Sequence, residues 1–240
     1  MAPAGLAVWV ARTQPGADET ARRLKVLGHR PLIAPVLEVR ALAGLAIDLK
    51  GVGALAFTSA NGVRAFAGLC PLRDLPVFAV GDTTAASAKA EGFVAVSSAS
   101  GDVAALAAHI AAARNGFSGL LLHPCAVQPA GDLVGYLARA GVTAGAVAVY
   151  DTHERETLPD LVASALEDEG LDVVLIHSPR AAGVVRRLLD TPVRRAQAQR
   201  LSVVGLSPAC LASLGTMAFA RTAVANRPTD DDLIAELGRL

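Results

Sequence analysis

Aromatic residues are scarce in this chain of 240 residues, at 4%. Stacked rings therefore cannot dominate its core, and the 52% hydrophobic content is carried by Ala, Val and Leu. That mixture suits parallel strands covered on both faces by alanine-rich helices, an α/β class. Excess charge is missing too. Twenty-two basic residues balance 22 acidic ones, so the broad basic surface of a nucleic-acid or membrane binder is not expected. Recognition of a charged ligand has to be local. The three cysteines, Cys70, Cys125 and Cys210, lie far apart with no C-x-x-C pair, and the five histidines show no paired ligand spacing. Together they imply a reducing compartment and no structural metal. No apolar run approaches the roughly 18 residues of a membrane span, and the start, MAPAGLAVWVARTQP, lacks an export pattern. A cytoplasmic, soluble protein is expected. The first apolar segment, Leu6 to Arg12, is not followed by Gly-x-Gly-x-x-Gly, which argues against a dinucleotide site.

What the chain does have is a stretch used twice. From Ala54 to Gly92, two apolar strand-like runs each empty through small polar residues into a helical pattern. Such turns suit an anion, because unpaired N–H groups and the helix dipole point at them, and Thr58, Ser59, Asn61, Thr83 and Thr84 add side-chain donors. Helix capping alone is the competing explanation for those residues. LAFTSANGVRAFAGL (55–69) aligns with VLIHSPRAAGVVRRL (174–188), and VFAVGDTTAASAKAEG (77–92) with LSVVGLSPACLASLG (201–215). The offsets of 119 and 124 residues are too long for a solenoid and indicate duplicated domains. Two such domains facing each other would leave a cleft lined by helix N-termini.

Strand and helix patterns alternate along the rest of the chain, which specifies parallel sheets with right-handed crossovers. Leu6 to Arg12 reads as a strand whose last residue, Arg12, would project into the crevice where open α/β sheets bind ligands. Pro15 and Gly16 open a helix that Gly28 stops. His29 to Arg40 contains two prolines and suits an edge strand or connector, with Val142 to His153 as the extended return. Short strands are expected at Phe93 to Val96 and Met217 to Ala223. Arg186, Arg187, Arg194 and Arg195 read as a solvated helix face followed by a loop.

V-x-R-T near the start, A-F-T-S-A-N-G-V, A-V-G-D-T-T-A, V-Y-D-T, I-H-S-P-R-A-A and V-V-G-x-S-P-A occur in the order and spacing of uroporphyrinogen-III synthase, a family the chain resembles over nearly its whole length. The resemblance implies two similar parallel-sheet α/β domains joined by a two-stranded connector, one of them discontinuous. Residues 1–34 would pack with 152–240, residues 38–148 would form the inserted domain, and 35–37 and 149–151 would connect them. It implies a lyase of tetrapyrrole (heme) biosynthesis that cyclises hydroxymethylbilane, a polyanionic linear tetrapyrrole, to uroporphyrinogen III with loss of water and inversion of the last ring. No metal or organic cofactor is implied, nor a nucleic-acid or membrane partner, and a monomer is expected. Tyr150 takes the family's tyrosine position as the group assisting hydroxyl departure. Thr84, Ser59 and Ser178 match its hydroxyl positions for substrate carboxylates, alongside Arg12, Thr58, Asn61 and Thr83.

The second repeat departs from the pattern. Pro208 stands where the family has a threonine, which removes a hydroxyl and an N–H donor, and Ser207 is the available substitute. His177-Ser178 replaces Thr-Ser. A non-catalytic module that binds anionic ligands on the same fold is the alternative reading.

Overall fold

The structure is a computed structural model and describes residues 5–129 and 131–240. Residues 1–4 and Ala130, which the two expected domains include, lie outside the described residues. Strand β1 (Ala7–Val10) leads to helix α1 (Gly16–Val26), β2 (Arg30–Ile33) and β3 (Leu37–Ala41). Next come β4 (Val52–Phe57), α2 (Ala60–Leu69), β5 (Val77–Ala79), α3 (Asp82–Ala90), β6 (Val96–Ser98) and α4 (Val103–Ala112). After a short 3-10 turn follow β7 (Leu120–Ala126), α5 (Leu133–Arg139) and the long β8 (Ala144–Glu154). The remainder runs α6 (Asp160–Glu167), β9 (Val173–Ile176), α7 (Pro179–Leu188), α8 (Pro192–Ala198), β10 (Ser202–Gly205), α9 (Pro208–Ala212), β11 (Arg221–Val224) and α10 (Asp230–Ala235).

The chain divides into two compact units, the residues up to Glu38 with His153–Leu240, and Val39–Thr152. In the first unit the sheet order is β11-β10-β9-β1-β2, all pairs parallel. The continuous apolar run of β1 is buried on both faces. Ala7 and Trp9 enter one core with Ile176, while Val8 and Val10 enter the other with Leu175. Trp9 is fully buried and its Nε1 donates to the Ala34 carbonyl at 2.7 Å, so its one polar atom is satisfied. Pro31 sits in β2, an edge strand, where a missing ladder donor is tolerated.

In the second unit the order is β3-β8-β7-β4-β5-β6, with β4 to β8 parallel throughout. Ala54, Ala56 and Phe78 pack on one face, Leu55, Phe57 and Val77 on the other. Strand β3 lies beside β8, and hydrogen bonds from Leu42 to Val149 and from Arg155 to Val36 mark opposite directions. The two sheets share one winding. Read β9, β10, β11, β1, β2 against β4, β5, β6, β7, β8 and the lateral order is identical, so the first unit is a circular permutation of the second. The repeated sequence blocks fall on β4–α2 and β9–α7, and on β5–α3 and β10–α9.

Three expectations need correction. The arginine-dotted link is partly a helix, α8, because Thr191 accepts from the Arg194 amide as N-cap and Pro192 occupies the first turn. The strand expected at Phe93 starts at Val96 instead. Gly92 turns the chain at φ +92°, and Phe93 is drawn into the core against Phe57 and Phe66. Strand β11 begins at Arg221 rather than Met217, which with Phe219 packs against the core as loop. No helix among the described residues is long and apolar enough to cross a membrane.

Candidate functional site

In both units the lateral order reverses between two neighbouring strands, β4 and β7 in one, β9 and β1 in the other. Ligands of open α/β sheets bind beyond the carboxyl ends of such strands.

In the second unit, β4 ends at Phe57 and delivers Thr58, Ser59 and Asn61 to that edge. The Thr58 hydroxyl lies 3.2 Å from Nε2 of His123 on β7. Ser59 is the N-cap of α2 and accepts from the Asn61 amide at 3.1 Å. Its side chain also acts on the phenol of Tyr150, on β8. Tyr150 is 7% exposed. Burial pushes its pKa up, with Ser59 pulling the other way, so the phenol stays protonated at neutral pH. Gly62 makes this approach feasible. A Cβ there would fall 2.9 Å from the Pro124 carbonyl oxygen and 3.7 Å from Tyr150 Cε1.

The next turn follows β5, beside β4, where the Val80 amide donates to the Phe57 carbonyl at 3.0 Å. Thr83 is exposed and Thr84 buried in the first turn of α3, whose N-cap, Gly81, supplies no side-chain bond. Asp82 is exposed there, its carboxylate engaged by Ser98 at 2.7 Å and Ser100 at 3.0 Å. These hydrogen bonds hold its pKa below the usual range.

In the first unit, Arg12 follows β1 and meets Asp230 at 3.3 Å. His177 follows β9 and meets the same Asp230 oxygen at 2.8 Å. Ser178 caps α7, accepting from the Ala181 amide at 3.1 Å. Ser207 follows β10 but makes no cap bond to its helix, and its Oγ lies 3.4 Å from Cys210 Sγ. Burial depresses the His177 pKa against the opposing effect of its hydrogen bond to Asp230. Its Nδ1 is buried with no partner at hydrogen-bond geometry, the Leu175 carbonyl being the backbone group that acts on the ring.

Thr58, Ser59, Asn61 and Tyr150 thus gather at one switch point, with Thr83 and Thr84 on the adjoining turn. Arg12 and Ser178 flank the other, with Ser207 after the neighbouring strand. Ser59 and Ser178 do cap their helices, but a hydroxyl that accepts through oxygen still has a proton to donate. Sequence reasoning missed His123, Asp230 and Arg64. For His177 a signal existed, since the 119-residue offset places it where the first repeat has Thr58. Among the described residues no group of three or more His, Cys, Asp or Glu side chains is arranged to hold a metal ion.

A family model described as uroporphyrinogen-III synthase HemD matches residues 18–235. The chain belongs to the uroporphyrinogen-III synthase family. A uroporphyrinogen-III synthetase of Helicobacter pylori has a similar structure, with TM-score 0.66 and 16% identity over 98% of this chain and 99% of that one. A mutant uroporphyrinogen III synthase of Thermus thermophilus follows at TM-score 0.52 and 16% identity, covering 98% of both chains. At that identity the likeness concerns the fold. No individual curated protein matches the sequence. Membership makes the chain an enzyme of tetrapyrrole biosynthesis acting on a small molecule.

Proposed function

We propose that the chain cyclises hydroxymethylbilane to uroporphyrinogen III as a lyase, with loss of water and inversion of the last pyrrole ring, and that the two compact units are its two domains. The single observation that carries the residue-level reading is the buried phenol of Tyr150, acted on by half-buried Ser59, at the strand-carboxyl edge of the second unit.

The bilane is already reactive, and left alone it closes to the uninverted isomer. Catalysis is therefore mostly geometric. Loss of the hydroxyl leaves an azafulvene-like cation, and attack through the substituted carbon of the terminal ring gives a spiro intermediate that reopens and recloses. Holding that carbon within reach is proximity catalysis, which supplies at best roughly 7–11 kcal/mol. Tyr150 is the proposed donor to the departing hydroxyl. A phenol whose pKa is raised keeps its proton until the leaving oxygen needs it.

The substrate's eight carboxylates need donors. Thr58, Ser59, Asn61, Thr83 and Thr84 are proposed to supply them in the second unit, with Arg12, Ser178 and Ser207 in the first. The open start of α3 adds backbone N–H groups, each contact worth about 0.3–1 kcal/mol when exposed. A monomer in the cytoplasm is the proposed setting, supported by balanced charge and three unpaired cysteines. Chromatography of the product isomers formed from hydroxymethylbilane tests the reading.

A further inference from the structure

Arg64 is held by two neutral side chains. It lies in the second turn of α2, half-buried. Its Nη2 donates to Asn61 Oδ1 at 2.5 Å, and Nη1 reaches Ser87 Oγ on α3 at 3.5 Å. Neither partner carries charge. Glu91 is near enough to favour the cation, yet no carboxylate among the described residues forms an ion pair with Arg64. Other arginines meet carboxylates, as where Arg12 and Arg23 share Asp230 or Arg180 and Arg187 share Glu154, or backbone carbonyls, as Arg73 does at Ala67, Cys70 and Glu91. Burial works against the Arg64 charge and lowers its pKa from the ordinary value. A guanidinium that has given up water without gaining a counter-ion is a standing cost, and it has five N–H donors to offer.

Its surroundings indicate which anion would relieve that cost. Asn61, the stronger partner, lies one turn back at the start of α2, next to Gly62, against which the Tyr150 ring is set. Arg64 and Tyr150 interact electrostatically, each favouring the charged form of the other. A carboxylate at the guanidinium would therefore lie close to the phenol that we place at the leaving hydroxyl.

We propose that Arg64 receives one of the substrate's carboxylates and so fixes the pyrrole ring beside Tyr150. The proposal rests on reading the chain as the synthase of that polycarboxylate. A planar carboxylate accepts two parallel N–H bonds from a guanidinium fork, which Asn61 and Ser87 hold in place. Lysine would keep the charge and lose the fork.

The test titrates the protein with uroporphyrin III, an octacarboxylate of the same class followed by its own fluorescence, and measures steady-state kinetics with hydroxymethylbilane. Arg64→Gln is expected to weaken uroporphyrin binding and raise KM by about 10-fold or more, with kcat changed less than about threefold, as charge-assisted bonds lost from binding alone would do. Arg64→Lys recovers part of the loss, and thermal midpoints stay near wild type. A purely structural role would lower the midpoint and leave KM alone. Should Arg64→Gln not fold, Arg64→Lys carries the test, with an expected KM rise of about threefold or more. Unchanged KM and uroporphyrin affinity in the folded variant overturn the proposal while wild-type production of type III leaves the synthase reading standing. A wild type that makes only type I removes that reading, and the proposal with it.

Discussion

Nε2 of His177 lies 2.8 Å from Oδ1 of Asp230, tying the end of β9 to the start of α10 within one unit. The same carboxylate accepts from Thr20 at 3.1 Å, Arg23 at 2.7 Å and Arg12 at 3.3 Å. Burial raises the Asp230 pKa, but the His177 hydrogen bond and charge, with Arg12 and Thr20, outweigh it and hold the carboxyl below its usual range. Arg12, at the carboxyl end of β1, is thereby fixed rather than free in solvent.

Removing that acceptor leaves two arginines, a threonine and a histidine without their shared partner. Asp230→Ala is expected to destabilise the protein by about 2–3 kcal/mol, below the cost of breaking a fully buried pair because the site is partly exposed. Urea denaturation measures it, and a change under about 0.5 kcal/mol, the range of ordinary surface substitutions, contradicts it.

Acid should weaken the fold through His123. Its imidazole is 2% exposed, and burial pushes its pKa down to about 4. The unfolded chain takes up this proton below about pH 6.5, whereas the folded chain does not until about 4. The stabilisation is therefore complete above 6.5, falls as pH drops, and is lost near 4, about 3 kcal/mol in all. His177, also depressed, acts with the same sign. His123→Gln, which keeps an amide for Thr58, should flatten part of the fall in thermal midpoint between pH 7 and pH 4. An equally steep fall in the variant assigns the effect elsewhere.

Tyr150→Phe keeps the ring and deletes the donor. Turnover is expected to drop about 10-fold or more, near the low end of what a positioned acid contributes. Stopped assays at saturating hydroxymethylbilane read the change, and wild-type turnover would remove Tyr150 from the mechanism.

Gly62 is held to its size by backbone, not by a flexible side chain. Gly62→Ala sets a methyl 2.9 Å from the Pro124 carbonyl oxygen, so something has to shift. A loss of about 1–3 kcal/mol in stability is expected, together with reduced turnover as Tyr150 moves. Unaltered denaturation and kinetics would show that α2 and β7 can part without consequence.

Much of the architecture could be read from local patterns. The repeated strand-turn-helix blocks correspond to β4–α2 and β9–α7 because apolar runs and cap residues act over a few positions. The two prolines placed Pro31 at a sheet edge for a reason visible in one dimension. Helix α8 escaped because four arginines drew attention away from Thr191 and Pro192, an adequate start signal. The Asp230 cluster was out of reach for a different cause. Asp230 joins Arg12 across 218 residues, and no periodicity links positions that only the assembled sheet brings together. The Thr58–His123 contact, 65 residues apart, was hidden in the same way. Arg64 was unremarkable in sequence, since its pairing with the neutral side chains of Asn61 and Ser87 shows only in three dimensions.

The most direct measurement supplies hydroxymethylbilane to the purified protein and separates the uroporphyrinogen isomers formed before spontaneous closure dominates. The account predicts type III as the main product, at a rate proportional to protein concentration. Type I alone, at the rate seen without protein, would contradict it and leave an anion-binding module on the same fold.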